Sequence, residues 1–276
     1  MLPETENSFV ELPTGKKHVS FSEYRDWSEC SYRHYLKNVK KLAKEEASLV
    51  MDYGTAVHSV CEHYLKNRII DLDIGKTKLT ELFNKNSVVE VFKDKYDVKF
   101  FNELQESFND IFTGFEEYME SNFPGWEYVE AEHELYEHVS DDYKHAFKGF
   151  IDCIIRIPHK KGFKYWVIDW KTTTWGWSGQ KKNDALAHRQ LILYRSFWSK
   201  KSGVPIKDIK CAFSLFKRTA KPGKKHELVK ISVGDITTER AIKGIRNMFS
   251  SVSRGIKLKN RDSCKYCPFL NTEHCR

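Results

Sequence analysis

Apolar residues recur at helical spacing along the first part of the chain. A capping-box signature at Ser20 opens a pattern that stays helix-compatible to about residue 42. A second helix is predicted over residues 52–67, where the apolar side chains form one stripe, and a third over residues 103–123, which a Pro-Gly pair ends. The N-terminal part of the chain is therefore predicted to be a helical lobe.

The spacing of apolar residues changes after the third helix. Alternating and continuous apolar runs indicate strands, and the stretch HKKG between two of them indicates a hairpin turn. The basic stretch 217–227, which contains a Pro-Gly pair, is predicted to be a mobile loop. This pattern predicts an α/β fold, with a mixed central sheet flanked by helices. The predicted elements are strands over 128–139, 147–157 and 164–172, a helix over 185–200, a strand over 208–218 and a helix over 237–252.

The composition indicates a folded protein with a basic surface. The chain has 276 residues, 40% of them hydrophobic, which is enough for one large domain. The formal net charge of +8 suits a polyanionic partner, although a basic surface can also serve solubility alone. The sequence shows neither a signal peptide nor the roughly 18 uninterrupted apolar residues of a membrane span. An intracellular protein, cytoplasmic and without a membrane partner, is expected.

Two neighbouring predicted strands carry charged residues inside apolar runs. Asp152 lies on the strand 147–157, and Asp169 and Lys171 lie two residues apart on the next strand, so the latter two share a face. Carboxylates that lie close together repel unless a divalent cation separates them, and one or two carboxylates with water are the usual ligands of Mg²⁺. A lysine beside that cation can orient or deprotonate an attacking water. The alternative for an isolated acid-x-lysine triplet is a salt bridge at a strand end.

Two further motifs flank these strands. His58 lies four residues after Gly54 in the second predicted helix, and Gln190 and Tyr194 lie on one face of the helix that follows Lys171. Taken alone, a single helical histidine is more often a surface or core residue than a metal ligand. An amphipathic tyrosine at a helix boundary is likewise common.

The four motifs together resemble the signature of RecB-type nucleases in the PD-(D/E)xK superfamily. They follow one another as G-x-x-x-H, G-x-x-D, D-x-K-T and Q-x-x-x-Y within residues 54–194. The resemblance implies a restriction-endonuclease-like fold and an active site for Mg²⁺ or Mn²⁺. The implied metal ligands are His58, Asp152 and Asp169, and the other implied site residues are Lys171, which acts on the water, and Gln190 and Tyr194, which organise the site and the DNA.

Two acidic positions relate to the family pattern in particular ways. Glu132 resembles a glutamate often seen on the strand before the first aspartate, and Glu130 and Glu134 share its face. Asp169 stands where the superfamily usually has glutamate, which is within the allowance for either acid.

Seven cysteines, an odd number without a secretion signal, argue against a disulfide framework. Cys61, Cys153 and Cys211 stand singly inside periodic segments and are expected to be small buried apolar residues. The other four, Cys30, Cys264, Cys267 and Cys275, flank the nuclease motifs at both ends of the chain.

These four cysteines resemble the split set of an iron-sulfur subgroup that includes the AddB nuclease domain and CRISPR-associated adaptation nucleases. The resemblance implies one [4Fe-4S] cluster that closes the C-terminal tail on the N-terminal helix. A zinc site is the alternative, because C-x₂-C is also a zinc pattern and His274 could replace a thiolate. A third alternative is that the cysteines bind no metal.

The resemblance implies a metal-dependent DNA nuclease, an exonuclease that acts on single strands or DNA ends in recombination, repair or replication. The alternative is a catalytically inactive DNA-binding or recombination subunit with the same fold. No ATPase motif of the G-x-x-x-x-G-K-[ST] kind occurs, so a helicase partner would be a separate chain. The predicted organisation is a single domain over 1–276, with a helical lobe at 18–122, a catalytic core at 126–217 and a helix and metal-cluster tail at 234–276.

Overall fold

The computed structural model describes residues 12–42, 47–139 and 145–276. Over these ranges the chain forms strands β1 His18–Ser20, β2 Glu127–His138, β3 Ala146–His159, β4 Gly162–Thr173, β5 Ile209–Lys217 and β6 His226–Ile231. The α-helices are α1 Phe21–Glu29, α2 Ser31–His34, α3 Leu49–Asn67, α4 Leu72–Ser87, α5 Val98–Phe112, α6 Phe115–Asn122, α7 Gly179–Lys182, α8 Ala185–Ser202 and α9 Asp235–Ser253. Short 3₁₀ turns lie at Glu90–Lys95, Ile206–Asp208 and Arg261–Ser263, and a π-helical turn lies at Tyr35–Val39.

The chain divides into two compact units. The first contains Met1–Lys44, Glu134–Gly149 and Gly234–Arg276, and the second contains Glu45–His133 and Phe150–Val233. The polypeptide passes from one unit to the other within β2 and within β3. The three-part organisation expected from the sequence stays a prediction.

The strands form a mixed sheet. β3 is antiparallel to β4, with Cys153 opposite Ile168, and β4 is parallel to β5, with Asp169 opposite Phe213. β5 is antiparallel to β6, β1 runs parallel to the first residues of β3, and β2 also pairs with β3. The mixed α/β architecture predicted from the sequence is therefore confirmed.

Helices cover both faces of the sheet in the second unit. On one face, Cys153, Ile155, Ile168 and Trp170 belong to a core formed with α3, α5 and α6. On the other face α8 packs against β4 and β5, and the thiol of Cys211 donates to the Leu191 carbonyl at 3.6 Å. Burial of β4 from both sides explains its nearly continuous apolar sequence.

Three elements differ from the sequence-based prediction. The predicted helix over 103–123 is two helices, because Gly114 adopts a left-handed backbone conformation (φ 75°) between α5 and α6. The first predicted helix is interrupted at Cys30, whose extended backbone ends α1 and whose sulfur caps α2. The stretch 217–227 is not a loop throughout, since β6 begins at His226.

The first unit joins the N-terminal helices to the C-terminal segment. The Tyr32 amide donates to the Leu258 carbonyl at 3.0 Å, and the Ser263 hydroxyl donates to the Glu29 carbonyl at 2.9 Å. The predicted capping box is present in part, because the Ser20 hydroxyl accepts from the Glu23 amide at 3.3 Å. None of the helices in the described ranges combines the length and apolar character that crossing a membrane requires.

Candidate active site

The charged residues of the two central strands lie opposite each other. The register that pairs Cys153 with Ile168 places Asp152 across from Asp169 when it is extended by one residue. Like charges directly opposite on antiparallel strands are destabilising. Either a cation must compensate the two carboxylates at this point, or one of them must be protonated.

Asp152 is held by the main chain of the neighbouring strand. Its Oδ2 accepts a hydrogen bond from the Trp170 amide at 2.8 Å and lies 3.7 Å from Nδ1 of His58. Burial, followed by the negative charge of Asp169, raises the pKa of Asp152 well above its ordinary range. In the absence of a cation the site therefore favours the protonated carboxyl group.

His58 is oriented by the same residue of β4. Its Nε2 lies 3.1 Å from the Trp170 carbonyl, which can only accept, so Nε2 carries the proton. Burial lowers the pKa of His58, which favours the neutral imidazole. The lone pair is then on Nδ1, the atom that faces Asp152, and this is the usual way in which a second hydrogen bond prepares a histidine for a metal.

Glu132 lies on β2 close to these two side chains. Its backbone has a φ of 48°, an irregularity that can redirect a side chain within a strand. Ligand atoms of His58, Glu132 and Asp152 all lie within 4.8 Å of one another. Burial and the charge of Asp152 raise the pKa of Glu132, as expected for a second carboxyl group beside the first.

The second half of the site is built around Asp169. Nζ of Lys171 lies 2.6 Å from Asp169 Oδ2, and Nε2 of Gln190 donates to Asp169 Oδ1 at 2.9 Å. Gln190 Nε2 also lies 3.3 Å from the Tyr194 hydroxyl oxygen. Tyr194 is only 5% exposed, and burial raises its pKa, so it contacts Gln190 from within the protein and presents little open surface.

The structure thus brings all six motif residues and Glu132 into one region of the second unit. The three residues whose ligand atoms lie within 4.8 Å of one another are His58, Glu132 and Asp152. Asp169, which the motifs predict as a ligand, is not among them and pairs with Lys171 instead. An imidazole nitrogen and two carboxylates form a donor set suited to Mg²⁺ or Mn²⁺, with Mn²⁺ the better match to the nitrogen ligand. These residues therefore fit a divalent cation.

The four outlying cysteines line one cavity in the first unit. The Cys30 sulfur accepts from the amides of Arg33 and Asn260, each at 3.4 Å. Amide groups that donate to cysteine sulfurs are also found around iron-sulfur clusters. Cys61, Cys153 and Cys211 are fully buried, and burial raises the pKa of each thiol.

Sequence motifs could not reveal the part played by Trp170. Its indole is buried in the core, while its amide and carbonyl orient Asp152 and His58. Main-chain groups are present at every position, so no residue type signals this function. The register of β3 against β4 was the signal that could have indicated it.

Comparison with known proteins identifies the family of the chain. The family model of the PD-(D/E)XK nuclease superfamily matches residues 18–272. The crystal structure of a protein from Eubacterium rectale named "Putative exonuclease" is similar in fold, with a TM-score of 0.55 and 13% identity, over 99% of this chain and 95% of that chain. Comparison with curated proteins gave no match. The restriction-endonuclease-like fold predicted from the motifs is confirmed, and the chain belongs to the PD-(D/E)XK nuclease superfamily.

Proposed function

We propose that the protein is a divalent-metal-dependent deoxyribonuclease, an exonuclease that hydrolyses phosphodiester bonds of single strands or DNA ends. The observation that carries this proposal is that the cluster of His58, Glu132 and Asp152 lies beside the Asp169–Lys171 pair. Asp152 and Asp169 lie on the adjacent strands β3 and β4. In a subunit that only binds DNA, these buried carboxylates would destabilise the folded protein without contributing to its function.

The metal ligands are proposed to be His58, Glu132 and Asp152, with Asp169 at the same face of the sheet. A divalent cation held there supplies Lewis-acid stabilisation of a phosphate and lowers the pKa of a water molecule. The imidazole of His58 is ready for this role because its proton is fixed on Nε2 by the Trp170 carbonyl.

Lys171 is proposed to act on the water and the phosphate. Its ammonium group lies beside Asp169 at the strand face that carries both aspartates, where it can orient the attacking oxygen and stabilise charge on the phosphate. Gln190 keeps the Asp169 carboxylate in place from the other side, and Tyr194 supports Gln190. Gln190 and Tyr194 are therefore positioning residues in this mechanism.

The test uses DNA strands labelled at the 5′ or the 3′ end, with Mg²⁺ or Mn²⁺. Wild type should shorten linear strands and leave circular single strands uncut, and Lys171→Ala and Asp169→Ala should lose cleavage while they keep DNA binding. Lys160→Ala, an exposed lysine on the turn between β3 and β4, is the matched control and should cleave normally. Undiminished cleavage by Lys171→Ala would refute the assignment, and binding without any cleavage by wild type would favour the inactive-subunit alternative.

We also propose that Cys30, Cys264, Cys267 and Cys275 hold a structural [4Fe-4S] cluster. The donor set fits, because four thiols surround one cavity and two amides donate to the Cys30 sulfur. A single zinc ion is the alternative, and it would hold its four sulfurs about 3.8 Å apart given Zn–S bonds of about 2.3 Å.

Anaerobic purification with metal analysis separates these alternatives. About four irons per chain and a brown protein are expected, and Cys30→Ala should lose both the iron and solubility. Cys211→Ala, a buried cysteine in β5, is the control that should keep the colour. One zinc without colour would establish the zinc site, and a metal-free, stable protein would exclude both.

A further inference from the structure

A cavity of about 180 Å³ lies in the second unit beside the end of β4. Its walls are Val50 and Tyr53 from α3, Leu104 from α5, residues 172–174 at and just after the end of β4, and Arg218 after β5. An apolar cavity of about 150 Å³ is large enough to bind benzene, so this volume is of the order needed for a nucleobase ring. The proposed mechanism uses none of these residues.

Two threonine hydroxyls and the Arg218 guanidinium at the cavity are available to a ligand. In the part of the chain that the structure describes, no hydrogen bond is made by the hydroxyl of Thr172 or Thr174, and no carboxylate lies within 4.0 Å of the Arg218 guanidinium. The guanidinium lies instead 5.2 Å from the centre of the Phe100 ring. Apolar walls with a few open polar groups and one unpaired cation are typical of a ligand site.

The cavity is close to the proposed catalytic residues along two elements, α3 and β4. Tyr53 precedes His58 by five residues on α3, which is a rise of about 7.5 Å. Thr173 follows Lys171 by two residues on β4, which is about 6.6 Å. One nucleotide of an extended DNA strand spans a comparable distance, so a strand with its phosphate at Lys171 brings a neighbouring nucleotide to the cavity.

Trp175 lies just after the end of β4 and directly follows Thr174, which lines the cavity. Its side chain is 78% exposed, although the turn that carries it is well fixed. The Gly176 amide donates to the Thr173 hydroxyl at 2.7 Å, and the Thr174 carbonyl accepts from the Thr219 amide at 3.0 Å and from its hydroxyl at 2.7 Å. A large aromatic ring kept in solvent by an ordered turn is suited to stacking on a base.

We infer that the cavity binds one unpaired nucleobase of the DNA strand, with Arg218 on the adjacent phosphate and Trp175 stacked on the next base. This inference rests on the proposed nuclease function and specifies its substrate as single-stranded or frayed DNA. A base must leave its duplex stack to enter a cavity of this kind, and unstacking costs least where the strand is already unpaired.

The first test fills the cavity from its exposed rim. Val50 is 55% exposed and lines the cavity, so Val50→Trp should occupy it without disturbing the core. Met51, 56% exposed on the same helix and outside the cavity, provides the matched control Met51→Trp. In a Lys171→Ala background, Val50→Trp should weaken binding of a single-stranded oligonucleotide about 5- to 150-fold, the range for one lost base contact, and Met51→Trp should leave binding unchanged. Equal affinities of the two variants would overturn the inference.

The second test removes one base at a time from the DNA. Wild type is given single strands that each carry one abasic nucleotide, and cleavage next to each position is measured. The inference requires a loss of cleavage at the bond that neighbours the abasic nucleotide, and this loss should disappear in Val50→Trp. If wild type cleaves all abasic strands equally, the base site is refuted while the nuclease proposal stands. If wild type cleaves no DNA at all, the nuclease proposal itself fails.

Discussion

The Asp152 carboxylate lies where ionisation is costly unless a cation is present. Burial and Asp169 raise its pKa, so the metal-free folded protein loses stability as the pH rises from the ordinary value of 3.8 towards the raised one. Asp152→Asn removes this cost, since its amide oxygen can still accept from the Trp170 amide. We expect the metal-free variant to melt at a higher temperature than wild type at pH 7.5, by about 2–4 °C for each kcal/mol.

Addition of Mn²⁺ should reverse this order, because wild type gains binding energy and the variant gains little. Scanning calorimetry of both proteins with and without Mn²⁺ measures it. A variant that melts lower than wild type without metal would contradict this account of Asp152.

His226 makes a second residue-scale prediction, on pH. Burial lowers its pKa from 6.5 to about 4, and its Nε2 donates to the Ile111 carbonyl at 2.8 Å. The unfolded chain takes up the proton first, so stability is complete above pH 6.5 and is lost as the pH falls towards 4, by up to about 3 kcal/mol.

Urea unfolding across this pH range should show a flatter profile for His226→Gln, whose amide can keep the bond to Ile111. His159→Gln, at the exposed last residue of β3, should retain the wild-type profile. Identical profiles for all three proteins would assign the acid sensitivity to other groups.

At the scale of elements, Gly75 determines how closely α4 packs. A Cβ atom at this position would lie 2.5 Å from a ring carbon of Phe108 and 2.6 Å from a methyl carbon of Val60. Alanine normally favours a helix by about 1 kcal/mol over glycine. Here we expect Gly75→Ala to destabilise the protein by about 1–3 kcal/mol, because the added methyl group would overpack the side chains around it.

The measurement is the midpoint of urea unfolding. Gly179→Ala is the control, since no atom lies within 4 Å of its Cβ position. That variant should be neutral or slightly stabilised, and an equal effect of both substitutions would show that backbone propensity rather than packing dominates.

The sequence predicted elements best where apolar residues are concentrated. α3 shows one apolar stripe, and long apolar runs mark α8 and the strands β3, β4 and β5. α4 was not predicted, because it buries only Gly75 and Leu79 and so lacks a clear apolar stripe. β6 was missed since its six residues follow a basic stretch whose composition is typical of a loop. The site residues were recognisable as side-chain types at fixed spacing, whereas the cavity with Arg218 depends on elements that are distant in sequence.

For the whole molecule, the net charge of +8 predicts DNA binding that weakens with salt. The logarithm of affinity for a single strand should fall linearly with the logarithm of salt concentration, by about 0.7 for each phosphate that is neutralised. Arg218→Gln should reduce this slope by about 0.7, the contribution of one phosphate contact. Fluorescence anisotropy titrations between low and physiological salt measure the slope.

Lys160→Ala serves as the charge-matched control, because it removes one cation at an exposed turn of the second unit. Its slope should equal that of wild type. A slope for Arg218→Gln that also equals wild type would mean that Arg218 does not contact the DNA backbone.

Trp170 has a consequence for how this protein can change over evolutionary time. The proposed metal ligands Asp152 and His58 depend on its amide and its carbonyl, while its indole ring packs in the core. Every amino acid except proline offers both main-chain groups, so substitution here is constrained by volume and apolarity and not by chemistry. Natural drift among large apolar residues at this position should therefore leave the ligand geometry unchanged, whereas proline should be eliminated by selection because it lacks the amide that binds Asp152. Part of the proposed site is thus held by main-chain atoms that every residue type except proline supplies.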